Sequence, residues 1–209
     1  MRRPEFIARQ SAYPSGLLGR LIGHVMARET AEANRIALEL LDLAPTDHVL
    51  EIGFGHGATI ARVAAAVSGG FVAGVDTSAE MLRMATKRNR SSIARGLAEL
   101  RLADARKIPY PDGRFDKVLS VHTVYFWPDL SGPLAEASRV LKPLGRLILA
   151  YRSDPQAILS FPAAVYRFHS EAEVLDALRV AGFSEVRVVR RQAGAATVCF
   201  ALARRATGL

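Results

Sequence analysis

Short apolar runs alternate along this chain with longer stretches whose apolar residues recur every third or fourth position, the two periods of strands and helices. Residues 49–52, 71–76, 99–103, 115–121 and 146–151 read as strands, and 186–189 with 197–202 as a closing pair. Between them, helical spacing covers 57–67, 79–90, 130–141 and 171–181. Ser68-Gly69-Gly70 and Gly182 stop two of these helices, while Thr77 or Ser78 and Ser170 can cap two others. Strands alternate with helices until the last two strands follow each other directly. The expected fold is therefore α/β: a mostly parallel sheet with helices on both faces and an antiparallel hairpin at the C-terminal end.

Ahead of the first strand the pattern is helical only. Residues 1–14 lack sustained periodicity and are expected to form a mobile arm. In 15–28, Leu17, Leu18, Leu21, Ile22 and Val25 fall at helical spacing with Arg20, His24 and Arg28 on other faces. Such a short basic amphipathic helix fits a lid over a ligand, a surface that lies on anionic membrane, or a helix packed on the sheet edge. A further helix spans 29–43 and stops near Pro45. Residues 152–169, with Pro155, Pro162, Phe161, Tyr166 and Phe168, are irregular and suit a substrate-side loop.

The stretch that organises the rest is Val49-Leu50-Glu51-Ile52-Gly53-Phe54-Gly55-His56-Gly57-Ala58. An apolar run ending in alternating glycines and opening into a helix describes a strand, a tight turn and a helix N-terminus against which an anionic ligand group can lie. The spacing fits G-x-G-x-x-G/A dinucleotide loops as well as the E-x-G-x-G-x-G loop of enzymes that bind S-adenosylmethionine. The strand ending in Asp76 adds an acid where either kind of site places a carboxylate on ribose hydroxyls.

Three later blocks separate the two. Leu100-Arg101-Leu102-Ala103-Asp104-Ala105, Ile108 to Ser120 and Arg139 to Leu147, in that order after the glycine loop, resemble the class I S-adenosylmethionine-dependent methyltransferases. The resemblance is greatest to the small-molecule and lipid enzymes that include the ubiquinone/menaquinone C-methyltransferases, and it covers roughly residues 47 to 150. It implies a Rossmann-like, doubly wound sheet of seven strands in a single domain over 1–209, with 1–43 as arm and helical lid and 47–209 as core. It also implies S-adenosylmethionine as cofactor, with S-adenosylhomocysteine as product, and methyl transfer to a small-molecule or lipid acceptor by in-line displacement.

Residue by residue, the resemblance puts the backbone of Gly53 and Gly55 on the methionyl part of the cofactor and Glu51 on its ammonium group. Gly57 completes the loop. Asp76 would accept from both ribose hydroxyls, Asp104 from the adenine amine, and Ala105 would meet the ring edge through its amide. Phe54, Thr77 and Met81 would pack around the cofactor. His122, at the end of the fourth strand, stands on the acceptor side, either as a base able to take a proton near neutral pH or as a residue packed over the cofactor. Tyr13, Tyr125 and Trp127 are candidate substrate contacts, since aromatic faces suit an apolar acceptor and a sulfonium. Related enzymes usually carry Pro-Gly-Gly before the fifth strand; here Leu144 replaces the first glycine. No pair or triplet of histidines has metal-ligand spacing, and no metal is expected.

Composition narrows the alternatives. With 50% hydrophobic and 23% charged residues the chain is globular. The single cysteine, Cys199, forbids an internal disulfide and suits a reducing, cytoplasmic setting. Gly19, Arg20, Gly23 and His24 interrupt any signal-like apolar region, and no stretch is long enough to span a membrane. The net charge of +8 is compatible with peripheral contact with anionic membrane at the inner surface, an acidic substrate, or merely a basic solvated surface. Nucleic acid is disfavoured as a partner, because the most basic segment, Arg83 to Lys107, has no aromatic residue for stacking. An NAD-binding oxidoreductase is the second hypothesis, weakened by the two helices preceding the glycine loop and by the lack of a Tyr-x-x-x-Lys pair. A non-catalytic S-adenosylmethionine-binding module is the third.

Overall fold

The computed structural model describes residues 4–153 and 158–207. Its seven strands are β1 (His48–Ile52), β2 (Phe71–Asp76), β3 (Ala98–Leu102), β4 (Phe115–Val121), β5 (Leu141–Tyr151), β6 (Phe183–Ala193) and β7 (Ala196–Arg205). They form one sheet in the order β3-β2-β1-β4-β5-β7-β6. All pairings are parallel except β5 with β7 and β6 with β7. The expected fold class is the one observed, with β7 as the antiparallel strand.

Among the described residues the helices are α1 (Glu5–Ala12), α2 (Gly16–Glu29), α3 (Ala31–Leu41), α4 (Ala58–Ala66), α5 (Ala79–Arg88), α6 (Arg90–Ala94), α7 (Ser131–Val140) and α8 (Glu171–Val180). Two apolar layers hold them to the sheet. One joins Ile36, Leu41, Ile60, Val63 and Met81 of α3, α4 and α5 to Val49, Val72 and Phe200. The other joins Leu134, Val140, Val174 and Leu178 of α7 and α8 to Leu50, Phe115 and Tyr151. A central strand such as β1 is buried on both sides, which is why it reads as a continuous apolar run.

Four sequence expectations need correction. Residues 5–12 are not an arm but a two-turn helix, closed by an Arg9 to Glu5 ion pair and packed on α2, with Ala8 buried in the apolar layer that holds Leu50 and Trp127. Two turns are too few to hold alone, so the helix exists through packing that periodicity does not report. The helix expected over 79–90 breaks at Asn89, whose buried Nδ2 donates to the Ala85 and Gly57 carbonyls. Strand β6 is longer than 186–189: it is a sheet edge bearing Arg187, Arg190 and Arg191, so its outer positions are charged rather than apolar.

The fourth correction concerns α2, which forms where expected but does not pack on the sheet edge. Its buried positions are Gly19 and Gly23, while Leu17, Leu18, Leu21 and Val25 are exposed. The small inner face lets the helix approach closely. A Cβ on Gly23 would lie 3.0 Å from Met81 Cε, and one on Gly19 would lie 2.7 Å from the Pro14 carbonyl carbon. Arg20 Nε donates to Glu80 Oε1 at 2.6 Å, and Ser78 Oγ donates to the Pro14 carbonyl at 2.7 Å, fastening this segment to α5. The helix therefore packs on α1, α3 and α5 rather than on the sheet edge.

Candidate cofactor and acceptor site

The strand order reverses between β1 and β4, and in open α/β sheets ligands lie beyond the carboxyl ends of strands at such a point. A cavity of about 350 Å³ opens there. Its floor is the β1 end and glycine loop, its sides are the ends of β2 and β4, and its roof is the segment from Ser11 to Asn34.

The glycine loop is shaped by two steric requirements. Gly53 has φ +79°, and a Cβ there would lie 2.1 Å from Thr123 Cγ2. Gly57, also at φ +79°, lies against Ala85 and Asn89, where a Cβ would come within 2.6 Å of both. Gly53 thus permits β1 and the loop after β4 to meet beneath the cavity, whereas Gly57 permits α4 to start against α5. Of the expected loop residues, Glu51, Gly53, Phe54 and Gly55 line the cavity and Gly57 does not.

Glu51 is 3% exposed, and its Oε2 is buried without a hydrogen-bond partner. Burial, reinforced by the nearby Asp76 charge and opposed by the Thr59 hydroxyl, pushes its carboxyl up to about 8. Asp76 Oδ2 accepts from the Gly55 amide at 2.9 Å and Oδ1 from the Ser78 amide at 2.8 Å, so its carboxylate is aimed across the loop. Burial raises its pKa, and the amides of Ser78, Gly55 and Thr77 counteract the rise. The buried Oδ1 of Asn34, on α3, is a second unpartnered acceptor at the cavity wall.

Thr77, Met81, Asp104, Ala105, His122, Tyr13 and Trp127 also reach this cavity. Asp104 is not free there. Arg106 holds it from its backbone amide at 2.8 Å and from Nη2 at 2.7 Å, and this pair keeps the carboxyl below its ordinary range. His122 sits at φ 58°, a strained backbone for a non-glycine residue. Burial first, then the charge of Arg152, pushes its imidazole down to about 3, so the ring is neutral across the physiological range. A base titrating near neutrality is thus not what this environment produces. Tyr125 is corrected as well: it lies outside the cavity lining, behind His122, with its hydroxyl 3.0 Å from His122 Nδ1 and accepting from the Arg152 amide at 2.5 Å. Its ring packs on Phe126, Tyr166 and Phe168, the aromatics of the 152–169 loop supplying a wall rather than a contact surface.

Residues 50–149 match the family described as Methyltransferase domain. The comparisons support a class I S-adenosylmethionine-dependent methyltransferase. It is 35% identical over 144 residues to the demethylmenaquinone methyltransferase of Tropheryma whipplei, an overlap covering 68% of this chain and 55% of that protein. It is 31% identical over 182 residues to the nocamycin O-methyltransferase of Saccharothrix syringae, covering 73% and 65%. The chain thus spans little more than half to two thirds of the length of these relatives. A similar solved structure is the geranyl diphosphate C-methyltransferase of Streptomyces coelicolor with Mg²⁺, geranyl diphosphate and S-adenosylhomocysteine, with a TM-score of 0.70 at 17% identity over 92% of this chain and 85% of that one.

Sequence reasoning missed Asn34, Thr59 and Thr123. A polar residue on the buried side of α3 is a usable signal for Asn34, because an unpaired amide inside an apolar stripe is unfavourable without a partner or ligand.

Proposed function

We propose that the protein transfers a methyl group from S-adenosylmethionine to an apolar small-molecule or lipid acceptor. The observation that carries the proposal is the pairing of an unpartnered buried Glu51 oxygen with the Asp76 carboxylate in one cavity over the glycine loop. When bound, S-adenosylmethionine supplies a methyl group activated by its sulfonium charge. In this reading Glu51 and the backbone of Gly53 and Gly55 hold the methionyl end, and Asp76 accepts from the ribose hydroxyls. Asp104 and Ala105 meet the base, with Arg106 fixing the Asp104 carboxylate. Phe54, Thr77 and Met81 close the walls, and Asn34 offers an acceptor from the roof.

The remaining work of the chain is alignment and exclusion of water, which can supply much of the acceleration. His122 faces the acceptor side, and its neutral state suits positioning by hydrogen bond or packing better than proton removal. A single assignment satisfies all three polar atoms behind it: the Arg152 amide donates to Tyr125 Oη, the Tyr125 hydroxyl donates to His122 Nδ1, and Nε2 keeps its proton. Tyr125 then acts through His122, while Trp127 and Tyr13 are left to meet the acceptor. The single domain with its helical lid over 1–43, and a cytoplasmic setting with peripheral membrane contact, complete the reading.

The test is transfer of label from methyl-labelled S-adenosylmethionine to a panel of quinol, phospholipid and soluble carboxylate acceptors. Label in an apolar acceptor, lost in Asp76→Ala, supports the proposal. Label in none of them, with cofactor binding intact, contradicts it.

A further inference from the structure

The orientation of α2 leaves an apolar stripe on the outside of the molecule. Leu17 is 79% exposed, Leu21 63%, Val25 50% and Leu18 44%. At 3.6 residues per turn these four fall within about 100° of one another around the helix axis. Scattered exposed leucines are ordinary, but a contiguous stripe on one helix face marks a contact surface.

Charge decides what that surface meets. The chain carries a net charge of +8; along α1 and α2, Arg9 is paired with Glu5 and Arg20 with Glu80, and Arg28 stands beside Glu29 at the end of α2. Exposed Arg28 and His24 flank the stripe. A second copy of this chain would set like charges against each other. An anionic bilayer would instead attract the net positive charge of the chain while taking up the leucines, as amphipathic helices lying in the membrane interface do.

We infer that the outer face of α2 docks on an anionic membrane surface. The opposite side of the same helix lines the cavity through Gly23, Met26 and Ala27. Docking therefore sets the roof of the cavity against lipid. That an apolar acceptor then enters from the bilayer rests on the function proposed above; the docking face itself does not.

The experiment is flotation of the full chain with vesicles of phosphatidylcholine alone and of phosphatidylcholine containing one third phosphatidylglycerol, for the unaltered protein and for Leu17→Asn/Leu21→Asn. Both leucines are well exposed in the free protein, so the double variant should fold. The expected result is flotation with the anionic vesicles, weakened by salt, and a partition coefficient at least tenfold lower in the variant, about 1.4 kcal/mol. Absence of flotation with anionic vesicles overturns the inference. So does a dimer in sedimentation that the variant converts to monomer, which would assign the stripe to a second copy. S-Adenosylhomocysteine titration of the same samples separates the two readings. Binding without flotation removes only the docking face, and flotation without binding removes only the methyltransferase function.

Discussion

With Glu51 holding the ligand ammonium as proposed, cofactor binding becomes a proton-linked event. In the free protein its buried carboxyl is pushed up to about 8 by loss of solvent and by the Asp76 charge, so it is protonated at neutral pH. A ligand ammonium beside the unpartnered Oε2 favours the ionised form, and binding must then expel a proton. At pH 6 the medium lies two pH units below that value, about 2.7 kcal/mol. S-Adenosylhomocysteine should therefore bind about 50-fold more weakly at pH 6 than at pH 8, where half the carboxyls are already ionised. The assay is isothermal titration at pH 6, 7 and 8, repeated at pH 7 in buffers of different ionisation enthalpy to count released protons. We expect close to one proton per ligand. Glu51→Gln should lose both the release and the pH slope, and bind more weakly at pH 8. Equal affinity at pH 6 and pH 8 in the unaltered protein would refute the reasoning. A slope that survived in Glu51→Gln would move the proton to another group, with Asp76 the first candidate.

Other perturbations report on separate parts of the account. Leu144 is exposed at φ 64° in the irregular part of β5, where its register with β4 shifts, so Leu144→Gly should stabilise the fold by about 1 kcal/mol in urea unfolding while leaving S-adenosylhomocysteine affinity unchanged. Asp76→Ala removes charge-assisted hydrogen bonds worth roughly 1.5–3 kcal/mol each and should weaken that affinity at least thirtyfold; unchanged affinity would end the ribose assignment. Gly23→Val forces a branched side chain between α2 and Met81, and in stopped flow the cofactor product should leave faster, whereas Leu17→Asn should not alter its departure. Because burial holds His122 near 3, it is neutral throughout the working range, and methyl-transfer rates should lack an acidic limb near pH 6.5; such a limb, absent in His122→Gln, would restore the general base.

What could be read from the chain was whatever depends on local period and on single backbone requirements. Strand β4 was bounded to the residue, and the glycine loop announced itself because Gly53 meets Thr123 so closely that no side chain fits. What could not be read depends on partners far along the chain. The direction in which α2 faces is set by Met81 and Pro14, which meet its glycines; apolar spacing alone leaves open whether the leucines face the protein or the outside. Gly57 belongs to the loop pattern yet is consumed by packing on α5. Tyr125 sits between cavity residues but turns its hydroxyl back to His122 and Arg152. The state of His122 likewise follows from burial and from Arg152, neither of which a strand-end histidine reveals.

The central claim is tested most directly by titrating the full chain with S-adenosylhomocysteine and, separately, with NAD at pH 8. The account requires saturable binding of S-adenosylhomocysteine at one site per chain, abolished or greatly weakened by Asp76→Ala, and no competing binding of NAD. Binding of NAD in its place, or binding of S-adenosylhomocysteine that is indifferent to Asp76, would contradict it.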